Sequence, residues 1–228
     1  MLIIGILLFL TVFCYGQTNL ARGEEFLMQN NPAQAVVFLE RALADDPANV
    51  TVSLYLGIVY EQLGRSNDAI NVYMRVLPRA GNLSANVAGN LGNVYFQRGN
   101  NEEAERFYTQ AISFSSIYSN AYLGRANTRI KSGQLLSAVT DYEQYLTLEP
   151  RSSQRDNIER LINLIRTEIA TEEMRKLMAE EEARRLEEER RRLLESVSAS
   201  LQSLADSSLG LSSGAESVEH YDGEFVLD

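Results

Sequence analysis

One pattern of small and apolar residues recurs along this chain at a step of about 34 residues. Its clearest copy covers residues 50–83, and further copies can be followed over residues 16–49, 85–118 and 119–152. A period of this length is typical of proteins built from stacked helix pairs, in which one copy cannot bury its apolar face alone but three or more copies can. The four copies therefore predict an all-α chain in which each helix pair packs on the next.

The residue types in each copy suit two closely packed antiparallel helices. Small residues at the eighth and twentieth places allow the two backbones to approach, and a tyrosine or phenylalanine fills the space between copies. Glycines end the first helix in a left-handed conformation, and prolines stop the second helix. These residues are Gly23, Gly57, Gly92 and Ala126 at the eighth place, Ala35, Ala69, Ala104 and Ala138 at the twentieth, Gly64, Gly99 and Gly133 at the turn, and Pro47 and Pro150 at the end.

With these residues in register, residues 17–152 resemble the tetratricopeptide repeat family. The resemblance implies a right-handed α-solenoid of four helix pairs, with a concave groove that is lined by the first helix of each copy and binds extended or helical peptides. Five residues depart from the family pattern: Arg22 and Arg125 replace a leucine, Arg129 replaces an aromatic residue, and Gly81 and Ser116 stand where a proline is common. Because the end copies of a repeat array are often atypical, we interpret these departures as edge effects that leave the fold intact.

The resemblance also identifies the groove residues by their place in each copy. Asparagine offers both a donor and an acceptor, so four of them on one wall predict a ladder that pairs with the backbone of an extended peptide; alternatively, they only solvate the groove. Glu24 and Glu61 also occupy groove places, and the only cation there is Lys131, which argues against the terminal-carboxylate clamp of some family members. The candidate groove residues are Leu54, Ile58, Asn86, Asn93, Phe96, Asn120, Asn127 and Ile130.

The period stops after Pro150, but helical patterning continues. Residues 153–170 carry an apolar stripe at three- and four-residue spacing, which is suited to a helix that caps the last copy. Residues 171–206 are rich in glutamate and arginine at i, i+4 spacing, which predicts an extended charged helix. Leu186 and Leu193 also fit one seam of a coiled coil, so self-association remains an alternative, although Arg190 falls in the other seam.

The two ends of the chain carry different signals. Leu2 to Phe13 is an apolar run too short to span a bilayer, and it predicts a signal peptide over residues 1–16 with cleavage after Gly16. A lipidated Cys14 and an uncleaved anchor are the alternatives. Each of these readings implies an exported protein, which in a bacterium would be periplasmic or associated with the envelope.

Residues 207–228 are rich in serine, glycine and acidic residues, and this composition predicts a disordered tail. Its final residues include Tyr221, Phe225, Val226 and Leu227, which suit a short binding motif that adds a strand to a partner's sheet. An inert, solubilising tail is the alternative interpretation.

Composition excludes several classes of function. A net charge of −10 argues against binding to nucleic acid. The sequence has one cysteine and one histidine, so it cannot form a disulfide, a Cys/His zinc site or a histidine-activated nucleophile within one chain. We therefore expect no cofactor and no enzymatic activity, but a scaffold of the cell envelope that binds one protein partner in its groove and a second through the C-terminal helix or tail. A periplasmic co-chaperone or adaptor for exported proteins is the alternative.

Overall fold

The computed structural model describes residues 18–214, and it describes side-chain exposure as far as residue 207. Within this range the chain is an all-α solenoid of four helix pairs followed by a long helix, without any strand. Two short 3₁₀ turns, Leu77–Arg79 and Gly81–Leu83, join the second pair to the third. The helices are α1 Asn19–Met28, α2 Pro32–Asp45, α3 Val50–Gln62, α4 Ser66–Val76, α5 Ser84–Gln97, α6 Asn101–Phe114, α7 Ser119–Lys131, α8 Leu135–Leu148 and α9 Arg155–Gly214.

The helices begin and end where local chemistry requires. The Asn49 side chain accepts a hydrogen bond of 3.1 Å from the backbone N–H of Val52, which caps α3. At the other end of α3, Gly64 adopts a φ of 70°. The left-handed turn lets the next N–H, that of Arg65, donate to the carbonyl of Tyr60 at 2.8 Å. The prediction of a left-handed residue at this turn is confirmed, and in the first copy Asn30 takes that conformation with a φ of 52°.

Close contacts explain the small residue at the eighth place. A Cβ atom added to Gly57 would lie 2.2 Å from Cε1 of Tyr73 on α4, which is far inside van der Waals contact. The equivalent tyrosine of the third copy, Tyr108, also reaches into the fourth, where a Cβ on Gly124 would lie 2.4 Å from its Cε1. Glycine is therefore needed so that the tyrosine ring of the second helix can fill the space within and between copies.

The first helices line the inner face of the solenoid. Helix α1 contacts α3, α3 contacts α5, and α5 contacts α7, whereas the second helices of successive described copies do not contact each other to the same extent. A stack of helix pairs curves toward the side on which its helices are closer, so α3, α5 and α7 form the concave side.

The chain divides after Arg166 into two compact units. In the first unit, the start of α9 buries Ile158, Ile162 and Ile165. Arg155 Nη2 also donates to the carbonyl of Leu146 at 2.9 Å. Burial of these isoleucines keeps the apolar end of the repeat array out of water.

The second unit contains the rest of α9, whose described side chains are almost all exposed. Four Glu–Arg pairs at i, i+4 spacing over residues 180–192 would suit ion pairing, but none of them forms an ion pair within 4.0 Å. Long exposed side chains gain little from being held in one geometry, because water solvates both charges. No described helix has the length and apolarity that a membrane crossing requires.

Helix α9 also continues beyond Asp206 to Gly214, so the prediction of disorder from residue 207 is wrong for its first residues. The Ser207 hydroxyl donates to the carbonyl of Ser203 at 2.8 Å, a bond within the helix that serine can form without breaking it. The proposed signal peptide and the motif of Tyr221, Phe225, Val226 and Leu227 lie outside the described residues.

Candidate functional site

Tyrosine hydroxyls connect the second helix of a copy to the polar residues of the concave face. Tyr108 donates to Oδ1 of Asn93 at 2.7 Å, and Tyr142 donates to Oδ1 of Asn127 at 2.6 Å. Both pairs are separated by 15 residues, so the same bond recurs in the third and fourth copies. Sequence reasoning missed this bond, although an asparagine at the ninth place recurring with a tyrosine 15 residues later was a detectable signal.

These bonds change the meaning of the predicted asparagine ladder. The oxygens of Asn93 and Asn127 are already acceptors for tyrosine, which leaves their Nδ2 groups without a hydrogen-bond partner among residues 18–214. Asn86 is half-buried on α5, and Asn120 is exposed at the start of α7. The four side chains thus lie on the two inner helices α5 and α7, and Asn93 and Asn127 keep both amide hydrogens for a ligand while tyrosine occupies one lone pair of each oxygen.

The apolar candidates differ in how much surface they present. Leu54 is only 8% exposed and belongs to the hydrophobic core, so its prediction as a groove contact is wrong. Contacts of α3 with the inner helices on both sides account for this burial. Ile58 and Ile130 are half-buried. The Lys131 ammonium lies 4.0 Å from the ring centroid of Phe96, which is a cation–π contact between α7 and α5.

Glu61 is the acidic group of the concave face in the second copy. Its Oε1 accepts a 2.7 Å hydrogen bond from Tyr73, whose oxygen also accepts one of 3.3 Å from Asn90 Nδ2. Burial raises the pKa of Glu61 to about 7, because a partly dehydrated carboxylate is costly, while the tyrosine bond lowers that pKa. Burial raises the pKa values of Tyr73 and Tyr108 as well, so both remain neutral beside this acid.

A separate ionic cluster lies between the third and fourth copies. Asp141 on α8 accepts from Arg125 at 2.7 and 2.9 Å and from Arg129 at 2.8 Å, and Arg129 also pairs with Glu105 on α6 at 2.8 Å. The positive charges of the two arginines that replace the usual apolar residues are therefore neutralised by nearby acids. Arg125 and Arg129 belong to the packing between copies and are not edge effects. All their charges are used within the chain, so this cluster is structural.

Residues 18–214 contain no cluster of three or more histidine, cysteine, aspartate or glutamate side chains that could hold a metal ion. The concave face offers amide donors, one carboxylate and apolar side chains, which is the chemistry of a binding surface.

Two family models, both described as tetratricopeptide repeat, match this chain over residues 26–89 and residues 84–115. Among curated proteins, mouse "Protein O-mannosyl-transferase TMTC3" is 27% identical over 136 residues. That match covers 53% of this chain and 15% of the mouse protein, so the chain spans only a small part of that relative.

Solved structures show the same fold. The crystal structure of MamA protein superposes with a TM-score of 0.52 at 24% identity and covers 58% of this chain and 72% of that one. PilW, described as a widely conserved type IV pilus biogenesis factor, superposes with a TM-score of 0.59 at 18% identity and covers 64% of this chain and 68% of that one. The two family models thus identify residues 26–115 as tetratricopeptide repeats, and the superposed structures share the fold of the helical array.

Proposed function

We propose that this chain is a non-enzymatic scaffold of the cell envelope that binds a partner peptide or helix along its concave face. The observation that carries the proposal is the composition of α5 and α7. They combine free amide donors of Asn93 and Asn127 with the half-buried side chains of Phe96 and Ile130. Amide donors can pair with the carbonyls of any extended peptide, and the apolar side chains add contact area.

The hydrogen bonds from tyrosine also support a preorganised groove. Each tyrosine bond fixes the orientation of an asparagine side chain before a ligand arrives, so less conformational entropy is lost on binding. Asn120 is exposed and interacts with Tyr118, directly before α7, and not with a second helix, so its amide can still meet a donor or an acceptor on the ligand.

A second partner is proposed for α9 or the tail that follows it. Helix α9 exposes Leu186, Leu193, Leu201 and Leu204 beside its charged residues, and an exposed row of this kind is available to another helix. Self-association through α9 belongs to the same proposal. Analytical ultracentrifugation of the full chain across a concentration series would separate a second copy from a different partner.

The envelope location rests on the apolar run Leu2 to Phe13, which supports export. Fractionation of cells that express the tagged full chain, followed by mass spectrometry of its N-terminus, tests this part. Recovery in the cytoplasm with an intact N-terminus would contradict it. The alternative of a co-chaperone or adaptor for exported proteins keeps the location but predicts many unrelated clients.

Site-specific crosslinking tests the scaffold itself. A photoreactive residue at Asn120 reports on the groove, one at Phe225 reports on the tail, and one at Asn71, which is exposed on the outer helix α4, serves as the matched control. A groove partner should be captured at Asn120 and not at Asn71. Capture of the same proteins at both positions would refute binding in the groove, and capture of many unrelated chains would favour the co-chaperone.

A substitution pair tests the same point without a crosslinker. Asn120→Arg should block the groove by bulk and charge, whereas Asn71→Arg makes the same chemical change on the outer face. Loss of partner binding in the first variant only is expected.

A further inference from the structure

We propose that Glu61 makes the concave groove selective for a peptide that carries a lysine or arginine side chain. The inference rests on the proposed groove function and names the chemistry of its ligand. It is carried by the geometry around one carboxylate, in which one oxygen is held by the protein and the other is left for a ligand.

The first oxygen is fixed by a short chain of hydrogen bonds across three helices. Asn90 Nδ2 on α5 donates to the Tyr73 hydroxyl on α4 at 3.3 Å, and that hydroxyl donates to Glu61 Oε1 on α3 at 2.7 Å. Tyr73 is fully buried, so its hydroxyl cannot turn to water. The carboxyl group therefore has a defined position on the inner face, unlike that of an exposed glutamate, which samples several rotamers.

The second oxygen, Oε2, has no hydrogen-bond partner among the described residues. Among the described residues, Asn101 Oδ1 is the one fully buried side-chain oxygen or nitrogen without a hydrogen-bond partner. Glu61 Oε2 also has no partner, so it is not fully buried. Oε2 therefore reaches the surface of the groove, where a ligand group can approach it. A lysine ammonium or an arginine guanidinium can donate to it with the strength of a charge-assisted hydrogen bond.

The charge on Glu61 also lacks compensation within the described chain. No arginine or lysine lies within 4.0 Å of it in residues 18–214. The titratable groups that face it are Tyr73 from α4 and Tyr108 from α6, both neutral. A half-buried carboxylate without a counter-ion is costly, and a ligand cation would remove that cost on binding.

The ligand should be a peptide side chain and not a metal ion. The described residues give no cluster of three or more metal-binding side chains here, and one carboxylate oxygen is too few for a divalent cation. At the other end of the groove, Lys131 lies over Phe96, which favours an acidic group of the ligand on that side. The expected ligand is therefore a peptide with a basic residue near α3 and an acidic residue near α7.

Selection from a random peptide display library, with the full-length protein as bait, tests the inference. The informative variant is Glu61→Gln, because its amide oxygen can still accept from Tyr73 while the charge is gone. Glu102→Gln is the matched control, since Glu102 is exposed in the first turn of α6 and the change in net charge is the same.

We expect peptides selected on the wild-type protein and on Glu102→Gln to share a lysine or arginine at one position, and those selected on Glu61→Gln to lack it. The best basic peptide should bind Glu61→Gln at least about tenfold more weakly. Its affinity for the wild type should fall between pH 8 and pH 6 as Glu61 takes up a proton, and its affinity for Glu61→Gln should not. His220, the single histidine of the sequence, is present in both proteins and serves as an internal control.

Two negative outcomes have different meanings. If groove-binding peptides show no basic residue, or if Glu61→Gln keeps the basic preference, the selectivity of Glu61 is refuted while groove binding stands. If no selected peptide loses affinity for Asn120→Arg, the groove does not bind peptides, and the proposed function fails together with this inference.

Discussion

Replacement of Asp141 by alanine is the sharpest test of how the fourth copy is held to the third. The carboxylate side chain is 3% exposed, and it accepts three hydrogen bonds from two arginines whose side chains are 13% and 18% exposed. Asp141→Ala removes the acid and leaves Arg125 and Arg129 largely dehydrated. Arg129 keeps its ion pair with Glu105, whereas the side-chain hydrogen bond left to Arg125 is the one that it donates to the Thr109 hydroxyl at 3.1 Å.

The magnitude follows from the burial of the cluster. Removal of one partner from a buried ion pair costs about 3–5 kcal/mol, because the remaining charge is uncompensated. The arginines retain some contact with water and one of them retains an acid, so we expect a loss near the lower value, about 3 kcal/mol. Urea unfolding followed by far-UV circular dichroism measures this loss, and hydrogen exchange should show that it is concentrated in α7 and α8.

Two further variants decide whether burial is the cause. Asp68→Ala removes an acid from Arg65 in an ion pair whose side chains are 44% and 45% exposed, and it should cost less than about 1 kcal/mol. The triple variant Arg125→Leu, Arg129→Phe and Asp141→Leu replaces the cluster by apolar residues and should be more stable than Asp141→Ala. If Asp141→Ala costs no more than Asp68→Ala, the cluster does not stabilise this interface and our reasoning is wrong.

Five further substitutions test the tyrosine layer and the turn beside it, each by urea unfolding unless stated. Gly57→Ala should cost more than about 2 kcal/mol because of the overlap with a buried ring, whereas Gly64→Ala should cost about 1 kcal/mol from its positive φ alone. Asn93→Ala should cost about 1–2 kcal/mol, because it leaves a buried tyrosine hydroxyl without its acceptor. The raised pKa of Glu61 makes the folded protein bind a proton more tightly than the unfolded chain, so wild-type stability should fall as pH rises from about 4.5 to about 7. Glu61→Gln should abolish that fall, which we expect to be about 2 kcal/mol after allowance for solvent screening. Ile58→Asn places an amide 15 residues before Tyr73, as in the third and fourth copies, and should raise the pKa of Glu61 in an NMR titration by drawing away the tyrosine hydroxyl.

The helical repeat could be predicted from sequence because its determinants are local. The period, the left-handed turn at Gly64 and the small residue at Gly57 each depend on the backbone conformation or on contact with the other helix of the same copy. Such constraints act on one residue type at one place, so they recur in the sequence with every copy.

The pairing of side chains could not be predicted in the same way. Arg125 and Arg129 look unsuitable for a buried face until Asp141, on another helix, is placed 16 and 12 residues away from them. Leu54 has a groove position by its place in the copy, but contacts from the neighbouring inner helices cover it. These outcomes depend on the distance between two side chains in the folded array, which residue type alone does not specify.

Variation at the ninth place links the repeat to the chemistry of the groove. In the third and fourth copies an asparagine accepts the tyrosine hydroxyl, and the concave face then presents amide donors. In the second copy the ninth residue is Ile58, which cannot accept, so Tyr73 donates to Glu61 instead, and the face presents an anionic acceptor. The residue type at the ninth place therefore decides whether the tyrosine of that copy bonds to an amide or to a carboxylate on the concave face. A peptide that lies along α3, α5 and α7 would therefore meet a carboxylate at α3 and amide groups at α5 and α7.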